Sequence, residues 1–351
     1  KVILYDIINK QTMNITDIEE RFAAFKPKRL VTTNHQYGLQ ISKISKDLSI
    51  TDTVQFLETD KIQEYLKVKS FSAQANANNA LMEYLKTFSN SEYEETIAHY
   101  KSQKELCYEI YHKNQKKGIF IGKQANNVIS FDQLIDYYRQ VYDIVKSNDY
   151  QNNPCIAPMN GSSSPAIDYL NLRLLLRMYI LHPSRNEYST LEMISQRDYE
   201  KIQHPLKNYL VYAPQSGGSY LSINVYKMSA KYGLKKIMIE DKELKSLVRF
   251  HKKKFGYGTM FKKQNGTDHT NSTLCTLMTG YSKKLIGKNI GSTLIYKICI
   301  GEVSKKYNKA LEKEDMEDME KYRADLEEFA KTRGHSIGVQ QAIYAKEIDG
   351  E

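Results

Sequence analysis

A chain of 351 residues is longer than one ordinary hydrophobic core supports, and 41% apolar residues suffice for two, so two domains are expected. The formal net charge of +10 and pI near 9.1 favour a polyanionic partner, of which nucleic acid is the commonest. No apolar run reaches the roughly 18 residues of a membrane span, the strongest, Leu172 to Leu181, being broken by Arg173 and Arg177, so a soluble chain with no membrane partner is expected.

The elements follow in order. From Ile15 to His112 apolar residues recur at helical spacing, as in Ile41, Ile44 and Leu48, and this half is expected to be all-helical, with helices over 78–88 and 92–112. A further helix is expected over 131–145. The polar run from Ser147 to Ser164, with Pro154, Pro158 and Gly161, places the domain linkage there, giving domains 1–150 and 151–351. Beyond it come a buried helix from Pro165 to Leu181, three short β-rich runs at 209–212, 220–226 and 237–239, and helices over 241–254, 273–285, 292–307 and 311–332. The fold class expected is mainly α with a small antiparallel sheet, of the α+β type. Cys107, Cys155, Cys275 and Cys299 lack zinc-binding spacing, so reduced, mostly buried thiols in an intracellular compartment are expected, with no metal and no cofactor. Lys1 to Ile8 read as neither a signal nor a transit peptide.

Four short stretches carry chemistry. Helix 174–181 ends in Pro183-Ser184-Arg185-Asn186-Glu187-Tyr188, a turn presenting an arginine. The run Asn224-Val225-Tyr226-Lys227-Met228-Ser229-Ala230-Lys231 puts lysines on a tight hairpin, where a lysine is ordinarily only an edge charge. Gly291-Ser292-Thr293-Leu294-Ile295-Tyr296-Lys297 opens a helix. Gly334-His335-Ser336 is followed, nine residues after the histidine, by Tyr344, one of 27 tyrosines.

In this order the four stretches resemble the catalytic domain of tyrosine recombinases, most nearly the integrases of large eukaryotic DNA viruses and of Polinton-like elements, and the likeness runs from about Pro27 to Tyr344. The resemblance implies a helical core-binding domain that clamps duplex DNA, joined to a catalytic domain. It also implies that Arg185 grips the scissile phosphate and that Lys227, or less favourably Lys231, protonates the leaving 5′ oxygen. His335 would assist at the phosphate, and Tyr344 would attack phosphorus to form a 3′-phosphotyrosyl ester, splitting one hard step into two. Lys28 and Arg29, near the start of the helical half, are the implied phosphate contacts of the clamp.

The chain departs from the family where a His/Lys-x-x-Arg signature opens a helix, because those positions fall on Thr293 and Tyr296. Lys297 is adjacent but turned by about 100°. A missing preorganised donor costs about 3 to 4 kcal/mol, or a hundred- to thousandfold in rate. Double-stranded DNA binding with strand cleavage impaired or lost is therefore expected, in a nucleus or a virion, without a small-molecule substrate, and enzyme activity is left open. Two alternatives stand beside it. One is an inactivated recombinase kept as a capsid-associated or packing protein of a large DNA virus, partnered by other viral proteins or by itself. The other is an active site-specific integrase completed by Lys297 or by a cation from elsewhere, such as Arg249.

Overall fold

The computed structural model describes residues 14–115, 120, 124–152, 165–184, 186–203, 205–215, 218–226, 229 and 233–333. The chain divides into two compact units, Lys1–Lys117 and Gly118–Glu351.

The first unit is a helical bundle of α1 (Ile15–Phe25), α2 (Val31–Leu48), α3 (Thr59–Lys67), α4 (Phe71–Lys86) and α5 (Glu94–Gln115). Each start has a local cause where a cap is present: Asn14 accepts from the Thr16 amide and Ser70 from that of Ala73. The Ser70 cap starts α4 seven residues before the expected 78, and the run Ser72 to Asn79, in which three asparagines alternate with strongly helix-forming alanines, continues the helix behind it. One apolar stripe from each helix meets in a core of Ile18, Phe22, Ile41, Ile62, Leu81 and Tyr84. Fully buried Tyr100 donates to the Phe56 carbonyl at 2.7 Å, which satisfies its hydroxyl inside that core.

The second unit holds α6 (Phe131–Ser147), α7 (Ala166–Leu181), the single turn α8 (Gln196–Tyr199), α9 (Lys242–Phe255), α10 (Asn271–Ile286), α11 (Ser292–Glu312) and α12 (Met316–Arg333). Its sheet has β1 (Leu191–Ser195), β2 (Asn208–Tyr212), β3 (Tyr220–Ile223), β4 (Lys235–Met238) and β5 (Gly258–Thr259), in the order β4-β3-β2-β1-β5. The boundary expected at 150 is corrected to 117. Leu134, Tyr137, Val141 and Val145 of α6 lie in the same core as Leu172, Leu175 and Met178 of α7, so the polar run after α6 joins two helices of one unit.

The mainly α architecture with one small sheet is as expected, and the β2–β3–β4 meander is antiparallel. The sheet as a whole is mixed, because β1 pairs parallel with β2 from Leu191↔Asn208 to Ser195↔Tyr212, and β5 pairs antiparallel with β1. A five-residue strand of mixed polarity, Leu-Glu-Met-Ile-Ser, gives no alternation strong enough to be read before folding.

The two arginines that interrupt α7 have a structural purpose. Arg177 grips Asp241 through two bonds of 3.1 and 2.6 Å, and Arg173 reaches Glu243 at 3.1 Å with its guanidinium 4.4 Å from the Tyr142 ring. Asp241 also caps α9 by accepting from the Leu244 amide. Buried charge on an apolar helix is thereby paired rather than stranded.

Candidate functional site

The turn after α7 is built around two buried phenols. The His182 amide closes the helix on Met178, and the Tyr188 hydroxyl returns to donate to the His182 carbonyl at 2.6 Å. The Tyr188 ring lies 4.9 Å from that of Tyr179, and burial pushes both hydroxyls far above the usual phenol range. The Asn186 carbonyl accepts from the Ser189 amide at 3.0 Å and from its hydroxyl at 2.6 Å. Residues 182–184 and 186–190 are thus tied by hydrogen bonds on both sides of the turn; Arg185 lies outside the described residues.

Asn208, at the start of β2 and 1% exposed, ties this turn to the hairpin. Its Nδ2 donates to the Glu187 carbonyl at 3.2 Å and to the Val225 carbonyl at 3.0 Å, while its Oδ1 accepts from the amides of Asn224 at 2.9 Å and Val225 at 2.8 Å. All the hydrogen-bonding capacity of one buried amide is used on backbone from two elements. Farther along, the Tyr226 hydroxyl donates to the Gly233 carbonyl at 2.8 Å, with the Lys235 ammonium 3.8 Å from its ring centre. Lys227 and Lys231, between those ends, lie outside the described residues.

Helix α11 reaches the same place. Its N-cap is Gly291, which offers no side chain, so the positive end of a 21-residue helix is left without a side-chain acceptor from that position. Ser292, its first residue, donates from Oγ to Asn186 Oδ1 at 2.7 Å, so the helix start is bonded to the neighbour of Arg185. The turn, the hairpin and this helix start are therefore joined through Asn186, Asn208 and Ser292.

The third stretch, Gly291 to Lys297, is mostly core. Thr293 is exposed, but Tyr296 is fully buried against Ile300 and Leu326, beside Phe329 of α12, and its hydroxyl donates to the Phe329 carbonyl at 3.4 Å. Lys297 is 5% exposed and points elsewhere: its ammonium donates to Gln124 Oε1 at 2.6 Å and sits 5.9 Å from the centre of the Phe120 ring. Adjacent helical residues reach different partners, as their 100° separation requires. The turn before α11 holds the same chain segment, through Lys288 Nζ to the Asn126 carbonyl at 2.9 Å and the Asn289 amide to Asn127 Oδ1 at 2.7 Å. Arg249 is exposed on α9. His335 and Tyr344 lie outside the described residues, as does Cys155.

In the first unit, Arg29 is an internal strut. Its guanidinium bonds Glu83 and lies 5.2 Å from the Tyr37 ring, with Lys26 on the same carboxylate at 2.7 Å. Burial alone would raise Glu83, but hydrogen bonds from Lys26 and Arg29 hold its carboxyl at about 2. Lys28 is exposed.

Reading the residues in sequence singled out the stretches but not Asn186, Asn208 or Ser292. The available signal was an asparagine opening a strand, a position where β propensity disfavours it. Cys107 and Cys299 are buried free thiols, with Cys299 pushed up to about 12 by burial, and Cys275 is a partly buried one. Among the described residues no group of His, Cys, Asp and Glu could hold a metal ion, and no helix is long and apolar enough to cross a membrane. The chain matches no protein-family model, no curated protein and no solved structure.

Proposed function

We propose that this chain binds double-stranded DNA through a site of tyrosine-recombinase type in which cleavage through a 3′-phosphotyrosine is impaired. The observation that carries the reading is the junction of residues 186–187, 224–225 and 292, because the resemblance requires the stretches holding Arg185 and Lys227 and the opening of the signature helix to serve one phosphate. The amides at the start of α11 suit the same anion, since a helix N-terminus favours negative charge. Arg185 and Lys227 are the cations in this reading, His335 the proton-handling group and Tyr344 the nucleophile.

Impairment follows from the position of the second arginine. A buried tyrosine bonded to the Phe329 carbonyl offers no bidentate fork to a phosphorane, and Lys297 is occupied with Gln124. Positioning of DNA then survives, while the charge that develops in the transition state loses a clamp. The burial of Tyr296 equally suits a retired recombinase kept as a virion component, a second reading that differs in needing no DNA affinity. Nucleus and virion are the settings these readings entail.

The test is incubation with a nicked suicide duplex, read on native and denaturing gels. The proposal expects a shifted complex on the native gel and little or no detergent-resistant adduct. A strong adduct abolished by Tyr344→Phe would establish an active integrase, and no complex at low salt would favour the structural reading.

A further inference from the structure

We infer that the outer face of α9 is a contact surface for the phosphate backbone of duplex DNA; this rests on the DNA-binding reading above and adds a face to it. The helix buries Leu244, Leu247, Val248 and His251 on its inner side. At about 100° per residue, Lys242, Lys245, Arg249, Lys252 and Lys253 fall within roughly 100° of one another on the opposite side. Ser246 stands beside them, and no acidic residue stands among them. Lys242, Lys245, Arg249 and Lys253 are exposed, and Lys252 is half-buried. The acidic residues at the head of the helix do not offset this row, because Asp241 is held by Arg177 and Glu243 by Arg173, both from α7. Among the described residues none of the five cations meets a carboxylate. Lys252 instead lies 6.0 Å from the ring centre of Tyr212 and 5.3 Å from that of Tyr257.

The needs of the helix do not account for the row. Like charges one turn apart, as in Lys245, Arg249 and Lys253, repel and destabilise a helix. The helix dipole favours Lys252 and Lys253 near the C-terminus but disfavours Lys242 at the first position. Helix α12 shows the ordinary surface arrangement, with both signs interspersed and Arg323 bonded to Glu327 at 3.3 Å. A polyanion resolves the repulsion on α9, and the spacing suits a nucleic-acid backbone. From Lys242 to Lys253 the helix rises about 16 Å, a length over which one strand of a duplex advances about five phosphates. An anionic membrane surface would call for apolar side chains exposed beside the cations, whereas those of α9 pack into or against the core. Helix α9 runs antiparallel to α7, Arg177 meeting Asp241 and Arg173 meeting Glu243, so the row begins near the end of α7 that enters the candidate site and leads back along it. Contacts of this kind position a duplex without reading its sequence.

The experiment measures the affinity of the full chain for two fluorescent duplexes of unrelated sequence at several salt concentrations. It is repeated on a variant combining Lys242→Gln, Lys245→Gln, Arg249→Gln, Lys252→Gln and Lys253→Gln. A control variant with the same change of charge combines Lys305→Gln, Lys309→Gln, Lys313→Gln, Lys321→Gln and Lys331→Gln, all at exposed positions on or beside α11 and α12. The α9 variant is expected to lose about tenfold or more in affinity and to lower the slope of log affinity against log salt by about 2 to 4, equally for both duplexes, and the control by less than about 1. Should the five substitutions together unfold the chain, as read by circular dichroism, the combination of Lys242→Gln, Lys245→Gln and Arg249→Gln serves, with the slope lowered by about 1 to 2. A folded α9 variant that matches the control in affinity and slope, or that loses affinity for one duplex only, would overturn the inference and leave the DNA-binding reading standing. So would loss of binding to phosphatidylserine vesicles or to polyglutamate with duplex affinity unchanged, which would assign the face to a membrane or an acidic protein. Failure of the unmodified chain to bind either duplex would instead remove the reading beneath it, and the inference with it.

Discussion

Replacing Tyr296 by arginine, the residue that the recombinase signature asks for, is expected to damage the fold rather than repair the site. Tyr296 is fully buried, and its neighbours Ile300, Leu326 and Phe329 are apolar, so a guanidinium there meets no carboxylate among them. An uncompensated buried charge costs about 3 to 5 kcal/mol, a large share of the roughly 5 to 15 kcal/mol that holds a protein together. For a unit of this size, the thermal midpoint is expected to fall by about 10 °C. Tyr296→Phe supplies the control: the bond to the Phe329 carbonyl is long at 3.4 Å, and its loss is expected to cost no more than about 1 kcal/mol. Thr293→His, at an exposed position, is expected to stay within about 0.5 kcal/mol of the unmodified chain. Circular dichroism melts and urea titrations of the three variants give these values. An arginine variant melting within about 2 °C of the unmodified chain, under the same conversion of energy to midpoint, would show that position 296 opens onto a cleft and that the account of its burial is wrong.

Two further outcomes concern pH and one concerns the neighbouring lysine. His251 is fully buried, and burial lowers it from 6.5 to about 4, so the unfolded chain binds its proton first. Stability from this residue is present above pH 6.5 and drains away as pH falls toward 4; His251→Phe is expected to flatten the melting temperature across that interval, and an unchanged slope would refute it. Glu83 is held at about 2 against an ordinary 4.5, so its contribution, on the order of 2 to 3 kcal/mol, is present above 4.5 and lost as pH drops toward 2. Glu83→Gln should remove that acid-limb loss, while lowering stability at pH 7 by leaving Lys26 and Arg29 without their counter-charge. Lys297→Arg is expected to leave the yield of covalent DNA adduct unchanged, since position 297 faces Gln124; a marked increase would show that the side chain reaches the phosphate.

Long periodic helices with clear punctuation were legible before folding. Helix α7 ends where its apolar run meets His182-Pro183, and α9 opens on Asp241, which caps it. What could not be read lay where tertiary contacts decide. The short strand Leu191–Ser195 exists because Asn208–Tyr212 pairs with it, and α6 joins the second unit because its apolar face finds α7. In the candidate site the stretches were visible, but the small polar residues that join them were not: an asparagine at 186 or 208 and a serine at 292 carry no pattern until the chain brings their partners within 3.2 Å. Helix α11 shows the limit from the other side. Leu294 to Ile300 are all buried, so periodicity assigns no outer face, and only the separate partners Phe329 and Gln124 tell Tyr296 from Lys297.

Duplex affinity as a function of salt tests the central claim most directly, because electrostatic contact with a DNA backbone releases counterions in proportion to the phosphates engaged. If the proposed DNA binding holds, the chain is expected to lose about a thousandfold or more in affinity between roughly 50 and 200 mM salt, with log affinity linear in log salt. A flat dependence, or no measurable affinity at the lowest salt, would contradict the account.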